Sequence, residues 1–319
     1  MNFHERSDRF HSYNAWLKER FGGRVAKLSL DLGMPCIHRT LHPPGCAYCR
    51  PGVIMADRIG ALGSVTAQID EGLLRVGKRY ETDLFLAYFQ NETPTAGDLV
   101  WLLDRYDEAL KHPGVLGMIL STRPDCLPEE LLDALAERSR TKPIFLELGL
   151  QSMWDETLVA IGRGHDVACF KDALTRARSR DFPVAAHMIL GLPGETPESM
   201  EESFRLLSGL PVDSVKIHHL QVYPGAPLEA AWRRGDLRIF ERFEDYLDVL
   251  VPCLEVLPWR IKVQRVVADA PSFYTLAPNW GLNKNEVLYR LARRFEERGS
   301  RQGSRAEKEV IDVFHSRQA

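Results

Sequence analysis

Six short apolar runs recur along the chain, at residues 25–31, 83–89, 115–121, 143–149, 183–190 and 213–219, and helical patterns separate them. Each run is rich in Val, Ile, Leu or Phe and short enough for a buried strand. Between them, residues 98–111 place Leu99, Leu102, Leu103, Tyr106 and Leu110 on one helical face. Residues 128–138 do the same with Leu131, Leu132 and Leu135, behind Pro128 in the first turn. Residues 170–180 fit a helix, as do 197–207 behind Thr196, an N-cap residue type. Strands alternating with helices imply βα units around a parallel sheet, either an open doubly wound sheet or a partial barrel. In both, crossovers are right-handed and functional residues gather at the C-terminal strand ends.

The pattern changes after Leu220. A turn-rich break at 222–227 precedes a long amphipathic helix at 240–257, a further strand at 261–267 and a helix at 285–297. The charged, Gly/Ser-containing stretch at 298–308 reads as a mobile surface segment. This divides the chain into an N-terminal extension (1–24), a core (25–227), a C-terminal α/β extension packed on it (228–297) and a charged tail (298–319).

No apolar run approaches the ~20 residues of a membrane span, and Met1-Asn2-Phe3-His4-Glu5-Arg6 contains no apolar leader. A cytoplasmic enzyme without membrane contact is the expectation. Net charge is −3, against a generally basic nucleic-acid coat, but residues 1–50 and 284–308 each carry net +4 while 51–283 carry −10. The basic ends are either solvated surface or a contact for a polyanion. On the last helix, Arg290, Arg293, Arg294 and Arg298 are spaced to share one face.

Of six cysteines, Cys36, Cys46 and Cys49 lie in one loop with C-x9-C-x2-C spacing, directly after the first strand; Cys126, Cys169 and Cys253 are scattered. Scattered free cysteines default to packing. Three clustered thiols in a chain without a leader read as a metal or catalytic site. A structural zinc wants four ligands, which His38 or His42 could complete. An electron-transfer [4Fe–4S] cluster also wants four cysteines, so three leave one iron open to an external ligand. From spacing alone both remain open, as does chance. No Ser–His–Asp pattern, phosphate loop or HExxH motif competes.

The thiol loop, with Tyr48 just before its last cysteine, resembles that of radical S-adenosylmethionine (SAM) enzymes. More narrowly, the chain resembles the bacterial YhcC/YtqA group, relatives of the radical SAM domain of the Elongator catalytic subunit. The resemblance extends through Tyr88-Phe89-Gln90, Ser121-Thr122-Arg123-Pro124-Asp125-Cys126, Glu147-Leu148-Gly149-Leu150-Gln151-Ser152 and Gly162-Arg163-Gly164-His165. It continues through the run from His187 to Thr196, the run from Lys216 to Gly225, and Gln264-Arg265-Val266-Val267-Ala268-Asp269-Ala270-Pro271. Two features depart from the group's pattern: Ile37-His38-Arg39 follows the first cysteine, and only Gly45 precedes the second. The Gly-Gly-Glu signature is replaced by Gln90-Asn91-Glu92-Thr93.

The resemblance implies a partial (β/α)6 TIM-type barrel and a [4Fe–4S] cluster on Cys36, Cys46 and Cys49 whose fourth iron takes the amino and carboxylate groups of SAM. By the same resemblance, the SAM site includes Tyr48, backbone near Phe89, Gln90 and Asn91, then Thr122, Arg123, Gln151, Arg163 and His187, with Gly191 allowing close approach to adenine. His218 and His219 end the sixth strand, where alternation points one inward; with Tyr223 they are candidates for proton transfer or substrate contact. Gln264 and Arg265 are placed on the same side. An apolar barrel interior is expected to exclude water. The group implies reductive cleavage of SAM to a 5′-deoxyadenosyl radical, an electron donor such as flavodoxin or ferredoxin, and a tRNA wobble uridine as substrate. A small molecule or tetrapyrrole is the alternative substrate, and a zinc-stabilised binding module the alternative from another class.

Overall fold

The computed structural model describes residues 9–52, 63–268 and 274–306. The leader reading at 1–6, the Asp269-Ala270-Pro271 motif and the end of the tail (307–319) lie outside them. One seven-stranded sheet runs in strict sequence order, and every neighbouring pair is parallel. Its strands are β1 (Val25–Leu30), β2 (Leu84–Phe89), β3 (Gly117–Thr122), β4 (Ile144–Gln151), β5 (Val184–Leu190), β6 (Ser214–His219) and β7 (Lys262–Arg265). Parallel neighbours in unbroken order, joined by helical crossovers, are a half-barrel. The six strands expected from apolar runs are present within two residues at each end, and the seventh pairs with β6 and extends the same sheet.

The helices are α1 (Tyr13–Phe21), α2 (Ile37–Leu41), α3 (Val65–Tyr80), α4 (Leu99–Lys111), α5 (Glu129–Ser139), α6 (Asp155–Ala160), α7 (Val167–Arg178), α8 (Pro197–Ser208), α9 (Pro227–Arg234), α10 (Phe243–Val256) and α11 (Lys284–Glu297). Capping side chains start several of them: Ser64 accepts from the Ala67 N–H, Asp98 from that of Trp101, and Thr196 forms a reciprocal box with Ser199. Outward strand residues such as Leu28, Phe89, Leu120, Leu146 and Met188 join the helices in one core.

The inward face differs from expectation. Leu86, Ile119 and Phe145 pack against Tyr13 and Leu17 beneath the inward Tyr88, so α1 plugs the bottom of the half-barrel. Above this plug the interior is polar, because Lys27, Glu147, His187 and Lys216 all occupy inward positions. The stretch after α11 is also not a loose tail. Gln302 is 1% exposed, and its amide donates to the Pro258 and Ile261 carbonyls. Arg298 and Ser300 bond the buried Glu255 carboxylate. No helix among the described residues is long and apolar enough to cross a membrane.

Candidate active site

The thiol loop leaves β1 through a fixed turn. Gln68 of α3 accepts from the Asp31 N–H and donates to its carbonyl, both at 2.8 Å, and the Asp31 carboxylate accepts from the Gly33 N–H. Cys36 then caps α2. Gly45, at φ +85°, lets the loop fold back on Arg39 at a distance that leaves little room for a side chain. The Ala47 N–H donates to the Ile161 carbonyl and the Ala47 carbonyl accepts from Leu228, tying the loop to the ends of α6 and α9.

Each of the three sulfurs faces a donor. Thr93 Oγ1 lies 3.6 Å from Cys36 Sγ, Arg163 Nη1 3.5 Å from Cys46 Sγ, and Arg39 Nη2 3.3 Å from Cys49 Sγ. A second guanidinium, Arg123, stands 4.0 Å from Cys46 Sγ and is held by Asp125 and the Arg163 carbonyl. Such donors suit sulfur that carries negative charge.

The thiols open onto a cavity of about 370 Å³ at the C-terminal strand ends. Its wall includes Tyr48, Gln90, Asn91, Thr122, Arg123, Gln151, Arg163, His187, His218, His219 and Tyr223, all singled out from sequence. Phe89, expected to contribute backbone, and Gly191 are not among its wall residues. The Phe89 side chain is fully buried and packs edge-on against Tyr106, because strand alternation turns it toward the helices. Gly191, at φ +90°, is needed elsewhere: a Cβ there would stand 2.8 Å from the Phe240 ring.

Both His218 and His219 reach the wall, where alternation allowed for one. His218 lies 3.0 Å from Arg265 Nη2, while His219 stacks on Trp280 at 4.2 Å and accepts from the Ala268 N–H. Burial holds His187 down to about 4 and His219 down to about 3, so both rings are neutral at pH 7. Tyr223 donates to Gln221, and Gln264 lies lower, between Lys27 and Ser214.

Gln151 takes φ +81° where β4 slips register against β5, a conformation that costs a non-glycine residue energy and turns its amide onto the wall. The Nε–H groups of Arg163 and Arg265 are buried without a partner among the described residues, so the wall retains donors for a bound acceptor.

Sequence reading passed over Arg39, Thr93 and Lys216 as partners in this wall, while Arg265 stands on it as expected. A charged residue in the middle of an apolar strand, as at Glu147 and Lys216, is the signal that marks an inward polar layer. Of the two histidines that could complete a zinc site, His38 is engaged. His38 Nε2 is 2.8 Å from the Gly162 carbonyl, and among the described residues no three His, Cys, Asp or Glu side chains converge on a single ion. Three thiols on the wall of one cavity, each facing a donor, fit a cluster of several metal atoms.

A parallel half-barrel with a polar cavity and a thiol loop at its C-terminal mouth defines a cofactor-dependent enzyme. Comparison with known proteins sharpens this. Residues 43–207 match the Radical SAM superfamily and residues 212–297 the Radical_SAM C-terminal domain. The first match takes in Cys46 and Cys49 and begins after Cys36.

The chain is 32% identical to YtqA of Bacillus subtilis over 300 residues, 92% of each chain. It is 34% identical to YhcC of Escherichia coli over 288 residues, 89% of this chain and 91% of that one. To the tRNA uridine(34) acetyltransferase of Methanocaldococcus infernus it is 26% identical over 189 residues, 58% of this chain and 34% of that protein. Among solved structures, the archaeal Elp3 of Methanocaldococcus infernus shares the fold with a TM-score of 0.66 and 20% identity, over 87% of this chain and 64% of that one. The chain belongs to the radical SAM superfamily and, within it, to the group of YtqA and YhcC. Enzymes of this superfamily use SAM with a [4Fe–4S] cluster.

Proposed function

We propose that Cys36, Cys46 and Cys49 hold a [4Fe–4S] cluster, that SAM lies in the cavity beneath it, and that the substrate is a modified wobble uridine of tRNA. The observation that carries the cofactor reading is the matched set of three sulfurs and three donors at the mouth of one polar cavity. When bound, the cluster and SAM supply one-electron reductive cleavage of the sulfonium and a hydrogen-abstracting carbon radical.

The chain's own residues hold and shield. Arg163, with an unpartnered Nε–H, suits the SAM carboxylate, since a guanidinium matches a carboxylate in plane and charge. Gln90, Asn91, Thr122 and Gln151 offer amide and hydroxyl groups to the amine and ribose. His187 and His218 remain neutral and available to accept or donate hydrogen bonds on the substrate side. Reduction is assigned to an external flavodoxin or ferredoxin.

The tRNA reading is supported by the similarity to the tRNA uridine(34) acetyltransferase over more than half of this chain. The basic face of α11 does not add to it. Arg290 pairs with Glu244, Arg293 with Glu297, Arg294 with Asp248 and Arg298 with Glu255, so these charges are already neutralised within the chain.

The test is anaerobic incubation with SAM, dithionite and tRNA from a strain lacking this protein, followed by mass spectrometry of 5′-deoxyadenosine and nucleosides. Deoxyadenosine together with conversion of one wobble nucleoside is expected. Deoxyadenosine with every nucleoside unchanged overturns the tRNA assignment, and no deoxyadenosine overturns the cofactor assignment.

A further inference from the structure

At the floor of the cavity lies a polar layer of which only His187 serves the reading above. Glu147, 1% exposed, is its centre. Its carboxylate accepts from Tyr88 Oη at 2.7 Å, Lys27 Nζ at 2.9 Å, His187 Nε2 at 2.9 Å and Lys216 Nζ at 3.1 Å. One negative charge thus faces two amines and an imidazole. It can neutralise one cation, and water decides which. The Lys27 side chain is 24% exposed and that of Lys216 8%, so the proton is cheaper to keep on Lys27.

Six polar groups face the Lys216 amine or stand close to it, one from each of six strands: Lys27, Tyr88, Glu147, His187, His218 and Arg265. Burial, then the charges of Arg265 and Lys27, outweigh the pull of Glu147 and bring this amine down to about 7. Lys216 is also a cavity-wall residue, and its nitrogen is hydrogen-bonded to the Tyr88 hydroxyl, which lies on the same wall. The Tyr88 hydroxyl accepts from the amine and donates its own hydrogen bond to Glu147, and a desolvated lysine beside a second cation is the arrangement that makes an amine nucleophilic at neutral pH.

We propose that Lys216 is a carbonyl-capturing amine, condensing with an aldehyde or ketone carbon of a ligand at the cavity floor. The amine nitrogen forms a bond to the carbonyl carbon, and the carbonyl oxygen takes a proton from the Tyr88 hydroxyl. The amine proton released on addition returns to Tyr88. Tyr88 then protonates the hydroxyl, which leaves as water, and takes back the remaining amine proton, giving a neutral imine on Lys216. One C=O bond is exchanged for one C=N bond, and no oxidant or reductant is consumed. Glu147 and His187 act as positioning residues that hold Tyr88 and the amine in register.

This inference stands on the wall geometry and not on the cofactor reading, so its test uses a readout independent of radical activity. The reconstituted full-length chain is treated with acetaldehyde and cyanoborohydride across a pH series, and alkylated lysines are located by peptide mass spectrometry. Lys216 is expected to be alkylated at pH 7 at least ~10-fold faster than exposed lysines, whose unprotonated fraction rises only near pH ~10.4. Its rate should rise with a midpoint near 7. Lys216→Arg should remove the fast site. Tyr88→Phe should retain it and slow it by about 10-fold or more, the low end of the range for a positioned proton donor. Labelling of Lys216 no faster than exposed lysines, or a midpoint near 10, overturns the proposal. An unchanged rate in Tyr88→Phe overturns the proton-transfer step as written.

Discussion

Arg163 enters the core with one guanidinium nitrogen 3.5 Å from Cys46 Sγ and the other 2.7 Å from the Gly149 carbonyl. A lysine reaches one of these partners and leaves the other buried and unpaired. Arg163→Lys is therefore expected to lower stability by about 2 kcal/mol, within the range for hydrogen bonds to charged groups, as read from anaerobic urea unfolding. The histidines predict an acid limit. His187, near 4 in the fold, is to be compared with about 6.5 in the unfolded chain. Between those values the unfolded chain binds the proton that the fold refuses. The contribution is thus complete above pH ~6.5 and is lost as pH falls through the interval, on the order of 3 kcal/mol by pH 4. His187→Gln should flatten the melting temperature against pH over that window, and an unchanged slope would show that the ring is already protonated in the fold. At this scale the three thiols were legible, because spacing and chemistry coincide in one loop. The Phe89 side chain turns toward the helices, because strand alternation decides which side chains of a motif face inward.

Two glycines at the edges of β3 and β4 separate scaffold from site. A Cβ on Gly149 would stand 2.6 Å from Arg163 Nη2 and 2.8 Å from Gln151 Nε2, the far ends of two flexible side chains. A Cβ on Gly117 would stand 2.3 Å from the Pro143 carbonyl oxygen, which is backbone. Gly149→Ala should fold at a cost of about 2 kcal/mol, comparable to that of Arg163→Lys, and lose iron or SAM retention as Arg163 and Gln151 are displaced. Gly117→Ala should cost about 3 kcal/mol or more, since backbone at the start of an interior strand must move. Thermal melts and equilibrium dialysis with SAM check both. The strands were readable because parallel strands buried on both faces are continuous apolar runs. Helix α3 was not, for a physical reason. Its buried face is Val65, Gln68, Ile69 and Gly72, and two of those four positions carry no apolar side chain. Gln68 is there to bond Asp31, and Gly72 to let Leu28 approach. Helix α1, whose buried residues are Tyr13 and Leu17, offers still less of a stripe.

Across the whole molecule, the ends of the described chain are joined. The Gln302 side chain accepts from the His11 N–H at 2.8 Å and donates to the carbonyls that precede β7, and the His11 ring stacks on Trp259 at 5.5 Å. Charge and glycine content made 298–308 read as mobile, because composition does not show that a buried amide can close three backbone groups at once. Gln302→Ala should cost about 2 kcal/mol, with faster hydrogen exchange in α1, which the same contacts hold under the barrel. The half-barrel, the plug beneath it and the thiol loop above it serve one claim: three sulfurs hold a cluster and leave one position for SAM. Anaerobic reconstitution of the chain and of Cys36→Ser, Cys46→Ser and Cys49→Ser, with iron, sulfide and 5′-deoxyadenosine measured together, tests it most directly. The account predicts about four irons and four sulfides per native chain, and loss of both the cluster and SAM cleavage in each variant. Deoxyadenosine released at the native rate by any one of the three, or one zinc without sulfide in the native chain, contradicts it.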